Sequence, residues 1–130
     1  MTAEQAETEL IQHHGWTAGT LRVWVRAQGR CEYCDVELLA SASVYFHGAH
    51  VDHIVPGAGE DLENLALSCT ACNRMKRRTK FLVAGETLPE RKALIERARY
   101  HIGKLRARDE DRRKLALSLL FGCGITERPV

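Results

Sequence analysis

A chain of 130 residues with 45% hydrophobic content has the makings of one soluble domain with a modest core. No apolar run approaches the ~20 residues of a membrane span, which excludes a transmembrane helix. The net charge of +2 hides an asymmetry: residues 1–73 carry 3 Lys/Arg against 10 Asp/Glu, whereas residues 89–114 carry 10 against 5. A cationic half suits a polyanion, although a solvated helix surface would have the same composition.

The first residues are acidic and lack a basic, apolar secretion signal, so the cytosol is the expected compartment. Residues 3–14 read as a polar helix. Thr17 or Thr20 is placed to cap a second helix, with Leu21, Trp24 and Val25 at i, i+3 and i+4 on one apolar face. Gly29 is placed to end it. Residues 31–34 then form a tight turn. Val44–Phe46 and Ala49–Ile54 read as short strands joined by a turn at His47-Gly48. Residues 56–59 (Pro-Gly-Ala-Gly) are a loop, because proline and glycine cannot sustain a ladder there. Leu65–Ser68 is a second core strand, and a basic helix runs from near Thr70 to about Lys80. Thr87-Leu-Pro-Glu90 has the form of a capping box. Leu94, Ala98, Ile102 and Leu105 follow at helical spacing as a buried stripe. Asp109 or Asp111 is placed to begin a last helix carrying Leu115, Leu119 and Leu120. The basic residues of this C-terminal extension, about 87–122, read as a solvated face.

Two Cys-x-x-Cys pairs, Cys31/Cys34 and Cys69/Cys72, supply four thiols at the spacing of a structural zinc site. In a cytosolic protein such pairs bind metal more often than they form disulfides. The 34 residues between Cys34 and Cys69 are too many for a compact zinc ribbon, so the insert is a structure that the metal clamps at both ends. Cys123 is left over and reads as a buried thiol.

Within the insert, Asp52-His53 supplies a carboxylate for a cation and an imidazole for a proton, the pair that phosphodiester hydrolysis requires. Neighbours on a strand point to opposite faces, so the two converge only if the strand ends there. Asn73 directly follows a zinc ligand and shares a helical face with Lys76, Arg77 and Lys80. An amide oxygen for the cation and a row of phosphate contacts, Arg74 included, would thus lie together. Oxygen donors favour Mg²⁺ or Mn²⁺.

The combination resembles the HNH endonucleases, in the branch whose zinc-binding cysteines flank the catalytic hairpin. It is carried by Cys31-Glu-Tyr-Cys34, His50-Val-Asp-His-Ile-Val-Pro56, Gly59 with Asn64-Leu65, and Cys69-Thr-Ala-Cys-Asn-Arg-Met-Lys76, and covers about residues 20–80. The resemblance implies an α+β fold with a ββα-metal core, a four-cysteine zinc site and flanking N- and C-terminal helices, all in a single domain. It makes Asp52 and Asn73 cation ligands, His53 the general base and Asn64 the asparagine that holds the loop and orients that base. With asparagine in place of the last histidine, the chain is an H-N-N version of the motif. His50 is either an auxiliary cation contact or a plain strand residue, the latter being preferred. The implied activity is metal-dependent DNA cleavage. The alternative is a non-cleaving, zinc-stabilised nucleic-acid-binding or scaffold module. The implied partner is double-stranded DNA, intact, branched or nicked. One site cuts one strand per encounter, so a double-strand break requires a homodimer, a larger complex or successive nicks.

Overall fold

An antiparallel hairpin and the helix that follows it form the centre of the fold. The computed structural model describes residues 1–77, 79 and 81–127. Strand β1 (Ala49–His53) pairs with β2 (Leu65–Cys69), with Asp52 opposite Ala66 and His53 opposite Leu65. Helix α4 (Thr70–Arg77) starts on the residue after β2. The chain is therefore a mixed α+β fold built on a small two-stranded sheet, as its pattern predicts.

Around this centre the N-terminal part adds α1 (Ala3–His13) and α2 (Ala18–Ala27). Thr17 is the cap of α2, its hydroxyl accepting from the Thr20 amide at 3.0 Å. The expected apolar face is rotated: Val23 is fully buried, Trp24 and Ala27 pack against the core, and Val25 is 68% exposed. The helix ends on Gln28 and Gly29, both in the left-handed region, and the Gly29 amide bonds back to the Trp24 carbonyl.

Two expectations for the middle of the chain are corrected. Val44–Phe46 is not a strand, because Ala42–Gly48 is a helix, α3. The Ser41 hydroxyl caps it by accepting from the Val44 amide at 3.2 Å. A local cap thus outweighs the weak strand preference of Val-Tyr-Phe. Residues 109–111 do not begin a helix either. They lie inside α5 (Arg91–Leu117), which runs on into a π-helical turn at Ser118–Gly122. The acidic cluster supports the helix interior through Asp109–Arg112 and Glu110–Arg113 pairs at i, i+3.

The capping box at Thr87 is likewise absent, since α5 starts at Arg91 with Glu90 in the cap position. Tertiary anchoring sets that start: the Arg91 guanidinium reaches Glu32 at 2.6 Å and the Leu65 carbonyl at 3.1 Å. The stripe of α5 is as expected, with Leu94, Ala98 and Ile102 buried and Leu105 half-buried. All five residues of β2 are buried, and Ile54, Leu38 and Leu67 join Val23 and Ile102 at the centre of the core. Cys123 is exposed and not buried. No helix among the described residues is long and apolar enough to cross a membrane.

Candidate active site and metal centre

The four cysteines converge from three elements. Cys31 and Cys34 lie on the turn after α2, Cys69 ends β2, and Cys72 is in the first turn of α4. Their sulfurs all lie within 4.8 Å of one another, Cys34 and Cys69 at 3.7 Å. A tetrahedral zinc with Zn–S near 2.3 Å needs sulfur–sulfur edges of about 3.8 Å, so the set fits that ion. The amides of Cys34 and Cys72 point at the sulfurs of Cys31 and Cys69 at 3.5 and 3.4 Å, which holds each pair in a knuckle. Hydrogen bonds among the four sulfurs lower the Cys31 thiol and raise those of Cys34 and Cys72, so the set shares its protons as one unit. Arg106 of α5 adds a cation at 3.6 Å from the Cys72 sulfur.

Glu32, between the first two cysteines, ties the knuckle to the rest of the fold. Its carboxylate accepts from the Leu67 amide at 2.8 Å and from Arg91, with Arg26 at 3.5 Å. Arg99 donates to the Glu32 carbonyl at 2.6 Å. The basic residues of α5 are thus only partly the solvated face expected of them. Arg91, Arg97, Arg99 and Arg106 are structural clamps, Arg97 through Glu86 at 2.6 Å.

The loop between the strands is closed by Asn64, which is buried. Its amide oxygen accepts from the Val55 amide at 2.9 Å, and its nitrogen donates to the carbonyls of Val55 and Gly59 at 3.0 and 2.9 Å. The backbone adds a bond from Ile54 to the Asn64 carbonyl at 2.8 Å. Both ends of the loop are therefore fixed, and β1 stops at His53. That stop brings neighbours with opposed side chains into one cleft of about 560 Å³, lined by Asp52, His53, Gly57, Glu60, Lys76 and Arg77 among others.

Asp52 does not stand open in that cleft. Its Oδ2 accepts from the Tyr33 hydroxyl at 2.7 Å and faces the Lys76 ammonium at 3.3 Å. The side chains of Lys76 and Asp52 are only 5% and 12% exposed. Burial, then the neighbouring Asp52 carboxylate, raises the Tyr33 phenol above its ordinary value, so it remains a donor. Both contacts fall on Oδ2, and none among the described residues reaches Oδ1. His53 presents Nε2 to the Glu60 carboxylate at 2.7 Å. A carboxylate only accepts, so Nε2 carries the proton and Nδ1 the lone pair of the neutral ring.

The predicted residues are thus separated by environment. Arg77 is exposed at the cleft wall and Arg74 is exposed on α4, whereas Lys76 turns inward to Asp52, away from the solvent-facing row in which the sequence places it. Lys80 lies outside the described residues. Asn73 is half-buried, one turn before Lys76 and Arg77 on the same face of α4. His50 bonds Thr70 at the start of α4 at 3.0 Å, an arrangement that suits the strand-residue reading. Sequence reasoning missed Tyr33, Glu60 and the inward role of Lys76. A tyrosine between the two cysteines of the first pair was the one signal available. Glu60 meets His53 only because Asn64 closes the loop.

Residues 31–79 match the model of the HNH endonuclease family. No curated protein and no solved structure matches the chain.

Proposed function

Starting from an HNH domain over residues 31–79, we propose that the chain is a metal-dependent DNA endonuclease. The observation that carries this reading is the meeting of Asp52, His53 and Arg77 in one cleft, with the imidazole already held through Nε2. Nδ1 of His53 takes a proton from water. The hydroxide attacks phosphorus, the bond to the leaving oxygen breaks, and that oxygen takes a proton from solvent. Glu60 orients the ring and offsets the charge of the imidazolium. Arg77 and Arg74 hold phosphates on either side. Asp52 through Oδ1 and Asn73 through its amide oxygen would hold Mg²⁺ or Mn²⁺, one carboxylate and one neutral oxygen among retained waters. When bound, that cation offsets negative charge on the phosphate and the leaving oxygen. Tyr33 and Lys76 keep Asp52 in position. The four cysteines would hold a structural zinc and take no part in the chemistry.

One observation favours the non-cleaving, nucleic-acid-binding alternative: the Lys76 ammonium already neutralises Asp52, and a divalent ion must compete with it. Incubation of the purified protein with supercoiled plasmid and a Mg²⁺, Mn²⁺ and chelator series separates the two. Nicked or linear product dependent on the ion is expected. Plasmid that binds but stays intact with every ion would establish the alternative.

The environments of the basic residues give a second test. Arg77→Ala weakens binding equally across DNA sequences and lowers the log–log salt slope by roughly one, the signature of a lost phosphate contact. Lys76→Met leaves that slope unchanged while impairing cleavage, because its partner is Asp52 and not DNA. A slope reduced by Lys76→Met and untouched by Arg77→Ala would reverse these assignments.

A further inference from the structure

Two pockets lie end to end along β1. Asp52 and His53 line the cleft described above, while Ala49, His50 and Val51 line a second pocket of about 380 Å³ with Trp16, Thr20, Trp24 and Tyr45. Successive strand residues point to opposite faces, so a pocket that takes in three in a row lies along the edge of the strand. Among the described residues β1 pairs with β2 alone, which leaves its other edge without a strand partner. At about 3.3 Å per residue, the β1 residues that line the two pockets are centred roughly 7–10 Å apart along the strand, a reach suited to one nucleic-acid strand occupying both.

The composition of the second pocket indicates its ligand. It holds both tryptophans of the chain and one of its three tyrosines. Trp16 and Trp24 have centroids 5.4 Å apart and planes inclined by 43°, and Trp24 and Tyr45 are 6.4 Å apart at 52°. Rings inclined in this way do not cover one another face to face. None of the three is buried, and Tyr45 is 41% exposed. Polar groups stand beside them. The Thr20 hydroxyl accepts from Thr17 at 2.9 Å and keeps its own proton to donate. His50 uses one ring nitrogen on Thr70 and has a second.

We infer that this pocket takes one unstacked nucleobase from the strand whose phosphate lies in the Asp52–His53 cleft, an inference that rests on the nuclease reading above. Flat aromatic walls accept any base by its π face, and a base stacked within a duplex has no face to offer. The preferred substrate is therefore a single-stranded or locally opened site.

Trp16 and Trp24 are the only tryptophans, so intrinsic fluorescence reports on this pocket directly. The full chain, without added divalent ion, is titrated with a short oligothymidylate, an abasic strand of equal length and a blunt duplex. The oligothymidylate is expected to quench the emission and bind more tightly than the abasic strand, which has the phosphates but no base. Trp16→Ala and the more exposed Tyr45→Ala should each weaken oligothymidylate binding by roughly 5- to 150-fold, the worth of one stacked base, and leave abasic binding unchanged. Equal affinity and equal quenching by base-bearing and abasic strands would overturn the inference. So would a plasmid-cutting protein that binds neither short strand, which would leave the nuclease reading intact. Base-dependent quenching without plasmid cleavage would support the pocket and count against the nuclease.

Discussion

His53→Ala should fold, keep its zinc and bind DNA with wild-type affinity, yet cut on the order of 10²- to 10⁴-fold more slowly, the usual worth of a positioned base. The imidazole is partly exposed and its described side-chain hydrogen bond is to Glu60, itself 84% exposed, so little of the fold depends on it. The comparison is single-turnover cleavage at saturating DNA and divalent ion. Asp52→Ala should also fail to cut, for a different reason: it removes a proposed cation ligand and strands the buried Lys76 ammonium without its partner. High Mn²⁺ should partly restore activity by mass action only where the lesion weakens cation affinity, so it should not rescue His53→Ala. Cleavage by His53→Ala at the wild-type rate would remove His53 from the mechanism and move the base elsewhere.

The residues of that test were legible in the sequence because their relation is local. Asp52 and His53 are neighbours ahead of a Pro-Gly loop, and Asn73 directly follows Cys72 of the four-cysteine cluster. Both strands of the hairpin were legible for a similar reason, β1 as an alternating segment and β2 as a short apolar one, each bounded by turn residues. The contacts that condition the site were not. Tyr33 reaches Asp52 across 19 positions, and Lys76 reaches it from another element, so the first contact depends on how the turn after α2 lies against β1 and the second on how α4 does. A helical face predicts which side chains point together, but whether that face meets solvent or a carboxylate is a tertiary fact. The helix at Ala42–Gly48 shows a second limit. Val-Tyr-Phe has strand character, and the Ser41 cap that decides its fate is a single hydroxyl. In α5, an acidic cluster resembling a helix start turned out to lie in the interior, where i+3 arginines partner it.

Loss of one of the four cysteines should have the broadest effect, because three elements are joined at that one point, in addition to the ties that Glu32 makes. The turn after α2, the end of β2 and the start of α4 all meet at the sulfurs, and α5 reaches them through Arg106. Structural zinc contributes an apparent ~10–16 kcal/mol in small metal-folded domains, comparable to or above the ~5–15 kcal/mol that holds a typical domain together. Cys31→Ser or Cys69→Ser should therefore give poorly soluble or unfolded protein, and not a folded enzyme with reduced activity. Wild-type protein should contain about one zinc per chain, retained through brief chelation, with prolonged chelation causing unfolding that added zinc reverses. Because Asn73 follows Cys72 directly, and Tyr33 lies between Cys31 and Cys34, loss of the metal should displace a proposed cation ligand and a support of Asp52 together. Circular dichroism with elemental analysis checks this. Well-folded, active protein without zinc would show that the cysteines pack as buried thiols and that the hairpin stands without them.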